Sequence, residues 1–247
     1  MTTFRRRSIG DLRAHVAPMF SPSLRRLLRF YGRIVTRGDL CFDIGANRGG
    51  MTELFRRLGA RVVSVEPQAQ CLHVLEDKYS HDDSITIVPL AISNETGETT
   101  LKICNVDEMT SMSEEFVSHY AGAYAYRWDS VLRIQTTTLD ALIAGFGLPS
   151  FCVIDVEGHE SKVLGGLTRA IPQIRFEYHQ ALAKNNVDSI ECLISLADYR
   201  FNFSTNEQLG FDLDEWVGPE SILSEINRAK KNGHVYATCS DANRRII

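Results

Sequence analysis

The sequence has no long apolar segment. None of the apolar runs in its 247 residues approaches the roughly 20 residues that cross a bilayer, so we expect no membrane span. The first residues also lack the apolar core of a signal peptide. We therefore expect a cytoplasmic protein.

Paired cysteines are missing as well. The six cysteines are scattered along the chain, and no two of them form a C-x-x-C pair. This spacing argues against a cysteine-rich zinc site and a disulfide framework. Several lie within apolar runs, such as Leu40-Cys41-Phe42, so the sequence predicts reduced and mostly buried thiols.

Internal repeats and an overall excess of basic charge are also absent. The formal net charge is −4, but residues 1–37 carry nine arginines and a single acid, Asp11. Such a basic stretch could attract an acidic substrate, a membrane surface or nucleic acid. Aromatic residues do not alternate with the arginines as they do in single-strand-binding proteins. We therefore expect a basic helical arm at 1–37 docked on an acidic main domain at 38–247, and no nucleic-acid partner.

The chain does contain a regular alternation of short apolar strands and amphipathic helices. The predicted strands are 40–44, 61–65, 85–90, 151–155 and 173–178. The predicted helices are 23–34, 50–58, 68–79, 138–145, 160–170 and 187–197. Strands that are apolar on both faces are typical of parallel sheets, and this alternation implies right-handed crossovers. We predict an α/β, Rossmann-like, doubly wound and mostly parallel sheet with helices on both faces.

Three further segments depart from this alternation. Residues 93–104 predict a turn and an added strand, and residues 105–135 predict a loop or irregular helix over one edge of the sheet. Residues 234–239 alternate well enough to form an antiparallel edge strand, which a helix at about 219–231 would precede. The irregular segment contains aromatic candidates for a substrate lid, namely Tyr120, Tyr124, Tyr126 and Trp128.

A glycine turn follows the first predicted strand. It has the pattern Asp43-x-Gly45-x-x-x-Gly49, and Glu66 ends the second predicted strand 23 positions after Asp43. Open parallel sheets bind ligands at the carboxyl ends of their strands. An acid at about this offset accepts hydrogen bonds from ribose hydroxyls in nucleotide-binding folds. The turn therefore predicts a nucleoside cofactor site, although glycines at such a corner can also serve chain reversal alone.

The charge of the turn distinguishes between cofactors. A dinucleotide places its pyrophosphate on the helix N-terminus, where the carboxylate of Asp43 would repel it. Three residues separate Gly45 from Gly49, whereas the dinucleotide fingerprint has one residue between its first two glycines. S-adenosylmethionine carries an ammonium and a sulfonium instead of a phosphate. The turn, including Ala46 and Asn47, therefore favours S-adenosylmethionine over a nicotinamide cofactor.

Five ordered blocks across residues 36–180 resemble the FkbM-type methyltransferases. The most specific is Ile154-Asp155-Val156-Glu157-Gly158-His159-Glu160 with the following Val163-Leu164-Gly165-Gly166. The other blocks are Gly38–Thr52, Glu66-Pro67, Leu90–Ser93 with Gly97, and Thr138-Leu139-Asp140. One position departs from the family pattern, which commonly has lysine directly before Ile-Asp, where this chain has Val153.

The resemblance implies a Rossmann-like class I methyltransferase that uses S-adenosylmethionine. An enzyme of this family usually acts on a hydroxyl oxygen of a sugar or another natural-product intermediate. The resemblance also implies cofactor contacts from the glycine turn and Glu66, with Ala91 and Ile92 near the adenine. The implied contacts within the turn come from Asp43, Gly45, Asn47 and Gly49.

Polar residues follow the fourth and fifth predicted strands. Asp155, Glu157 and His159 follow the fourth, while Glu177 and His179 end the fifth. In one hypothesis, His179 or His159 removes the proton of an acceptor hydroxyl. In the other, a divalent cation such as Mg²⁺ acidifies that hydroxyl. Its ligands would be Asp155, Glu177 and His179, with Glu157 as a further candidate. A third interpretation is that Asp155 and Glu157 shape the turn and cap the helix that begins near residue 160.

The sequence thus predicts an enzyme that transfers a methyl group to the hydroxyl of a small carbohydrate or secondary metabolite. Two alternatives stay open: a nicotinamide-dependent oxidoreductase on a similar fold, and a catalytically silent cofactor-binding module. The sequence does not decide between a monomer and a homo-oligomer.

Overall fold

A computed structural model describes residues 21–239 of the protein. Most of the predicted basic arm and the last eight residues of the predicted main domain lie outside the described residues. Within 21–239, no helix is both long enough and apolar enough to cross a membrane.

The described chain forms eight α-helices and ten strands. The helices are α1 (Pro22–Tyr31), α2 (Gly50–Leu58), α3 (Ala69–Tyr79), α4 (Glu114–Tyr120), α5 (Leu139–Phe146), α6 (Glu160–Leu164), α7 (Ala183–Leu196) and α8 (Pro219–Ala229). The strands are β1 (Leu40–Ile44), β2 (Arg61–Val65), β3 (Ile85–Val88), β4 (Ala91–Ile92), β5 (Gly97–Ile103), β6 (Ser130–Thr137), β7 (Phe151–Ile154), β8 (Gln173–Tyr178), β9 (Tyr199–Ser204) and β10 (Gly233–Cys239).

Seven strands form the central sheet in the order β3-β2-β1-β7-β8-β10-β9. The first five pair in parallel, and β10 is antiparallel to both of its neighbours. The strand order reverses between β1 and β7, which is where open α/β sheets bind ligands. The predicted α/β class and all five predicted parallel strands are confirmed.

Both faces of the sheet are covered by helices. Phe42 and Ile44 of β1 belong to the larger apolar cluster, which includes side chains of α5, α6, α7 and α8. Cys41, on the opposite face, packs in a second cluster with Phe30 of α1 and Phe55 of α2. The alternation of β1 between these clusters explains why its sequence is apolar throughout. Five cysteines are buried and Cys192 is half-buried, in agreement with the sequence prediction.

The antiparallel strand does not lie at the edge of the sheet. β10 is antiparallel as predicted, but it is inserted between β8 and β9. The edge strand is β9, which the sequence analysis did not predict. Its signal is the alternating aromatic series Tyr199, Phe201 and Phe203, which is all buried.

A second, three-stranded sheet has the order β4-β6-β5 and includes the end of the predicted irregular segment. The added strand predicted within 93–104 is present as β5, and it pairs antiparallel with β6 from Gly97↔Thr136 to Ile103↔Ser130. The prediction of an irregular segment at 105–135 was therefore wrong for residues 130–135, which belong to β6. The connection between β5 and β6 carries α4 to the carboxyl edge of the central sheet.

Candidate active site at the carboxyl edge of the sheet

The glycine turn after β1 packs directly against the end of β7. Gly45, Asn47 and Gly49 all have positive φ, at +82°, +48° and +84°. A Cβ added to Gly45 would lie 2.0 Å from the carbonyl oxygen of Asp155. The amides of Gly45 and Ala46 each donate to the Val65 carbonyl at 3.0 Å. Only glycine satisfies both the dihedral and the close approach, so the turn forms a fixed corner between three strand ends.

Glu66 lies buried beside this corner, directly after β2. The amide of Asn47 donates to its Oε2 and the amide of Gln68 donates to its Oε1, both at 2.8 Å. Burial nevertheless raises the pKa of Glu66 to about 7. Each carboxylate oxygen can accept a further hydrogen bond. Glu66 is therefore suited to accept bonds from the hydroxyls of a nucleoside.

Asp43 lies beneath the corner, and its side chain turns toward α2. Its carboxylate accepts a hydrogen bond of 2.6 Å from the Thr52 hydroxyl, and Asp43 is only 2% exposed. Burial raises the pKa of Asp43 to about 6. In this arrangement Asp43 joins the glycine turn to the start of α2 and adds negative charge under the site.

Ala91 and Ile92 form the short strand β4, which follows β3 at the same edge. Both are buried, and they pair with Thr136 and Thr137 of β6. The next residue, Ser93, has its hydroxyl 3.1 Å from Nε2 of His159. This segment therefore links the second sheet to the turn after β7. Its proximity to an adenine stays a prediction.

The three polar residues after β7 lie in three different surroundings. Asp155 faces Arg175, with Oδ2 3.7 Å from Nη1. His159 precedes α6 and contacts Ser93, and burial lowers its pKa to about 4. Its imidazole is therefore neutral at ordinary pH. Glu157 instead joins the two polar residues at the end of β8.

Glu160 holds the turn that presents Glu157. Its carboxylate is fully buried, accepts bonds of 3.2 Å from the amides of Val156 and Gly158, and accepts a 2.8 Å bond from the Asn185 amide. Glu157 has a φ of +54°, a conformation that costs a non-glycine residue about 1–3 kcal/mol. The helix-shaping role therefore falls to Glu160, while Glu157 is held in a strained conformation at the site.

Glu157, Glu177 and His179 form one compact group, with a potential ligand atom from each lying within 4.8 Å of the others. His179 Nε2 is 3.1 Å from Glu177 Oε2 and 3.7 Å from Glu157 Oε2. Burial alone lowers the pKa of His179, but the carboxylates of Glu177, Glu157 and Glu160 raise it well above its ordinary value. The neighbouring carboxylates therefore favour the protonated form of His179.

The predicted metal ligand Asp155 is not in this group. Among residues 21–239, the group that could hold an ion is Glu157, Glu177 and His179, whereas Asp155 contacts Arg175 and His234. Two carboxylates and an imidazole form a donor set that suits Mn²⁺ or Zn²⁺ better than Mg²⁺, which prefers oxygen ligands.

Several residues of the site were missed by the sequence analysis. Tyr120 Oη and Asn232 Nδ2 each lie 3.2 Å from His179 Nδ1, so Tyr120 of the predicted aromatic lid does contact the site. Arg175 alternates with Glu177 and His179 along β8, and this period of two was a signal for a shared face. The remaining missed residues, Glu207, His234 and Asn232, come from distant segments and gave no local signal.

The segment after β5 crosses the corner on its open side. Asp107, in a 3-10 turn at Asp107–Met109, accepts bonds from Arg48 Nη2 at 2.5 Å and from Gln70 Nε2 at 2.7 Å. Arg48 lies in the glycine turn and Gln70 in the first turn of α3. Asp107 therefore connects the two segments that flank Glu66.

Sequence comparison identifies a family over most of the chain. The family described as Methyltransferase FkbM domain matches residues 43–208. A curated relative, the C-methyltransferase NovU of Streptomyces niveus, is 36% identical over 64 residues. That match covers 26% of this chain and 14% of NovU.

Two solved structures have a similar fold. The precorrin-6y C5,15-methyltransferase of Geobacter metallireducens has a TM-score of 0.48 at 11% identity, over 94% of this chain and 96% of that chain. An O-methyltransferase of Bacillus cereus, in complex with SAH, has a TM-score of 0.46 at 13% identity, over 93% and 85%. The family match at residues 43–208 spans the glycine corner and both polar strand ends. The chain belongs to the FkbM methyltransferase domain family.

Proposed function

We propose that this protein transfers a methyl group from S-adenosylmethionine to a hydroxyl oxygen of a small molecule, in the class of carbohydrates and secondary metabolites. The observation that carries the proposal is the pair of buried carboxylates at the edge formed by β1 and β2, those of Asp43 and Glu66.

Such an edge favours a cationic donor. Taking carboxylates out of water is costly unless a cation compensates for the lost hydration. A bound sulfonium and ammonium would supply that compensation, whereas the pyrophosphate of a nicotinamide cofactor would meet repulsion from Asp43. The charge of the edge therefore supports S-adenosylmethionine and argues against the oxidoreductase alternative.

The chain's own residues can position an acceptor and remove its proton. Bound S-adenosylmethionine would supply the methyl group and leave as a neutral thioether. As the acceptor oxygen takes the methyl group, the carboxylate of Glu157 or Glu177 would accept the hydroxyl proton. His179 lies against both carboxylates, and Tyr120 and Asn232 fix its ring. Alignment of the acceptor with the carbon–sulfur bond lowers the barrier further.

Two variations of this function have a specific basis. Because NovU is named a C-methyltransferase, an acceptor carbon is the second candidate for the methylated atom, and it needs the same removal of a proton. The Glu157, Glu177 and His179 group could also hold a divalent cation, which would acidify the acceptor hydroxyl. These variations differ in product and in metal dependence.

Cofactor binding is the first test. Titration calorimetry of the full chain with S-adenosylmethionine, S-adenosylhomocysteine and NAD should show binding of the first two only. Glu66→Ala should weaken both by about tenfold or more, because each loses bonds to a charged acceptor. The exposed Glu76→Ala, on α3, is the matched control. Binding of NAD without S-adenosylmethionine would overturn the proposal.

Methyl transfer is the second test. Incubation with CD₃-labelled S-adenosylmethionine and a panel of hydroxylated small molecules should yield a product heavier by one CD₃ group, and its ¹³C shift identifies the methylated atom. Glu157→Gln and Glu177→Gln should lower the rate, while the exposed Glu115→Gln should not. Loss of activity in a chelator, with recovery on adding Mn²⁺, would favour the cation over the carboxylate base.

A further inference from the structure

The amino ends of the parallel strands meet at the edge of the central sheet that lies opposite the candidate active site. Arg37 shortly precedes β1 and Arg61 is the first residue of β2, and both are exposed. A Cβ added to Gly59 would lie 3.0 Å from Cγ of Arg37, and the Arg61 amide donates to the Asp39 carbonyl at 2.8 Å. The two arginines therefore lie on adjoining segments of this edge, which we call the amino edge.

Helix α1 ends at the same edge and adds basic charge. Its apolar side packs in the core, as Phe30 does, whereas Arg33, just after the helix, is exposed. A Cβ added to Gly32 would lie 3.6 Å from Cδ2 of Leu58 at the end of α2. Residues 21–37 contain five arginines and no acid. The end of α1 therefore brings a strongly basic segment to the amino edge.

Two apolar side chains are exposed at this edge as well. Phe146 and Leu148, between α5 and β7, are 38% and 47% exposed. Their segment adjoins the start of β1, because the Ser150 amide donates to the Leu40 carbonyl at 2.8 Å. A Cβ added to Gly147 would lie 3.8 Å from Cδ2 of Leu40. Exposed apolar side chains and exposed arginines therefore share the amino edge.

The charge around the start of β1 is positive. Asp39 is an acid of this segment, and its carboxylate accepts bonds from the amide and the hydroxyl of Thr36 at 2.8 and 3.0 Å. The three guanidinium groups of Arg33, Arg37 and Arg61 exceed this single negative charge. The amino edge is therefore complementary to an anionic surface.

An anionic bilayer offers a partner to both kinds of side chain. Guanidinium groups bind phosphate oxygens through paired hydrogen bonds. Apolar side chains beside basic ones enter the boundary between headgroups and acyl chains. Nucleic acids also present phosphates, but they are bound by basic residues together with aromatic rings that stack on bases, and Leu148 cannot stack. The combination therefore favours a lipid surface over a nucleic acid.

We propose that the amino edge binds the surface of a bilayer that contains anionic phospholipids. Arg33, Arg37 and Arg61 contact the headgroup phosphates, while Phe146 and Leu148 enter the boundary with the acyl chains. The candidate active site lies at the opposite, carboxyl edge, so the bound protein keeps that site open to water. This inference concerns a separate surface and does not rest on the proposed function.

Sedimentation with lipid vesicles tests the role of the charge. The full chain should bind vesicles of equal parts phosphatidylglycerol and phosphatidylcholine, and should not bind phosphatidylcholine alone. Added salt should release it, because salt screens exposed charges. The triple variant Arg33→Gln, Arg37→Gln and Arg61→Gln should bind about a hundredfold more weakly, at about fivefold for each basic residue near the surface.

A matched control removes the same charge from the carboxyl edge. It replaces three exposed lysines, in the triple variant Lys184→Gln, Lys230→Gln and Lys231→Gln. This variant should bind the anionic vesicles as the wild type does. Equal weakening in the two triple variants would show that only the total charge matters, and it would overturn the assignment to the amino edge.

A second set of variants tests the apolar side chains. Phe146→Ser with Leu148→Ser should weaken binding by about tenfold or more, because less apolar area leaves water. Leu209→Ser, in the turn after β9 at the carboxyl edge, is the control, since Leu209 is 80% exposed. Unchanged binding in the double serine variant would contradict insertion into the bilayer.

Two results with the wild-type protein decide the inference without any substitution. Equal binding to both kinds of vesicle, or to neither, would overturn it. Displacement from anionic vesicles by polyuridylic acid at an equal concentration of phosphate would assign the edge to nucleic acid instead. Because the replaced side chains are exposed, the variants should unfold at the wild-type temperature, which thermal unfolding checks.

Discussion

We expect Glu66 to couple cofactor binding to pH. Burial raises the pKa of Glu66 to about 7 in the cofactor-free protein, while bonds donated by ribose hydroxyls favour the ionised carboxylate. Binding should therefore release a proton below that pKa. Affinity for S-adenosylhomocysteine should rise with pH up to about pH 7, by at most tenfold per unit, and then level off.

Calorimetry in buffers of different ionisation enthalpy measures this proton release. Glu66→Gln, which cannot ionise, should flatten the profile, whereas Glu76→Gln should leave it unchanged. An affinity that falls as pH rises from 5.5 to 7 would contradict the assignment of Glu66 to the ribose.

Gly45 is the residue whose replacement the corner tolerates least. In Gly45→Ala, the new Cβ meets the Asp155 carbonyl at 2.0 Å, and the positive φ adds about 1–2 kcal/mol of strain. We expect a loss of at least about 2 kcal/mol of unfolding free energy together with weaker cofactor binding. Gly145→Ala in α5 is the control, because a Cβ there meets nothing within 4 Å and alanine favours a helix. Equal stability of the two variants, measured by urea denaturation, would contradict this account.

At the level of elements, the strength of the local signal decided what the sequence could predict. β1, β2 and β8 were predicted at the observed residues, since apolar strands buried on both faces have a strong pattern. β6 was missed because most of Ser130–Thr137 is exposed or half-buried, so its pairing with β5 gave no apolar alternation. The contact of His179 with Asn232 joins residues 53 positions apart, which no local pattern encodes.

The segment around Asp107 is expected to control the exit of the cofactor. Asp107→Ala removes the bonds to Arg48 and Gln70 that span the corner, so S-adenosylhomocysteine should dissociate faster, by about tenfold for the loss of bonds to a charged group. Trp128 reports on this segment, because its Nε1 donates to the Met109 carbonyl at 2.9 Å. Stopped-flow fluorescence in a Trp216→Phe background measures the rate.

The control for this experiment is Asp129→Ala, which removes an exposed ion pair with Arg127 but no bond across the corner. It should leave the dissociation rate unchanged. Equal rates for Asp107→Ala and the wild-type protein would show that the segment does not retain the ligand.

At the scale of the whole molecule, α1 is part of the core that supports the site. Phe30 packs edge-on against Phe211 and Tyr236, at centroid distances of 5.0 and 5.6 Å. The Tyr31 hydroxyl lies 3.0 Å from that of Tyr236, which donates to Glu207 at 2.7 Å. Contacts therefore run from α1 through β10 to Glu207, the partner of Arg175.

This packing predicts that α1 unfolds together with the sheet. Phe30→Ala should cost about 3–5 kcal/mol, as expected for a buried phenylalanine, and unfolding should stay a single transition. Trp216 reports on this region, because it packs edge-on against Phe211 at a centroid distance of 5.3 Å, while circular dichroism follows the whole fold. The two probes should give the same urea midpoint in the wild type and in Phe30→Ala. The exposed Arg26→Ala should shift neither midpoint. An earlier transition seen by Trp216 alone would mean that α1 and its aromatic neighbours unfold as a separate unit. The contacts from Tyr31 to Glu207 would then not couple the packing of α1 to the site.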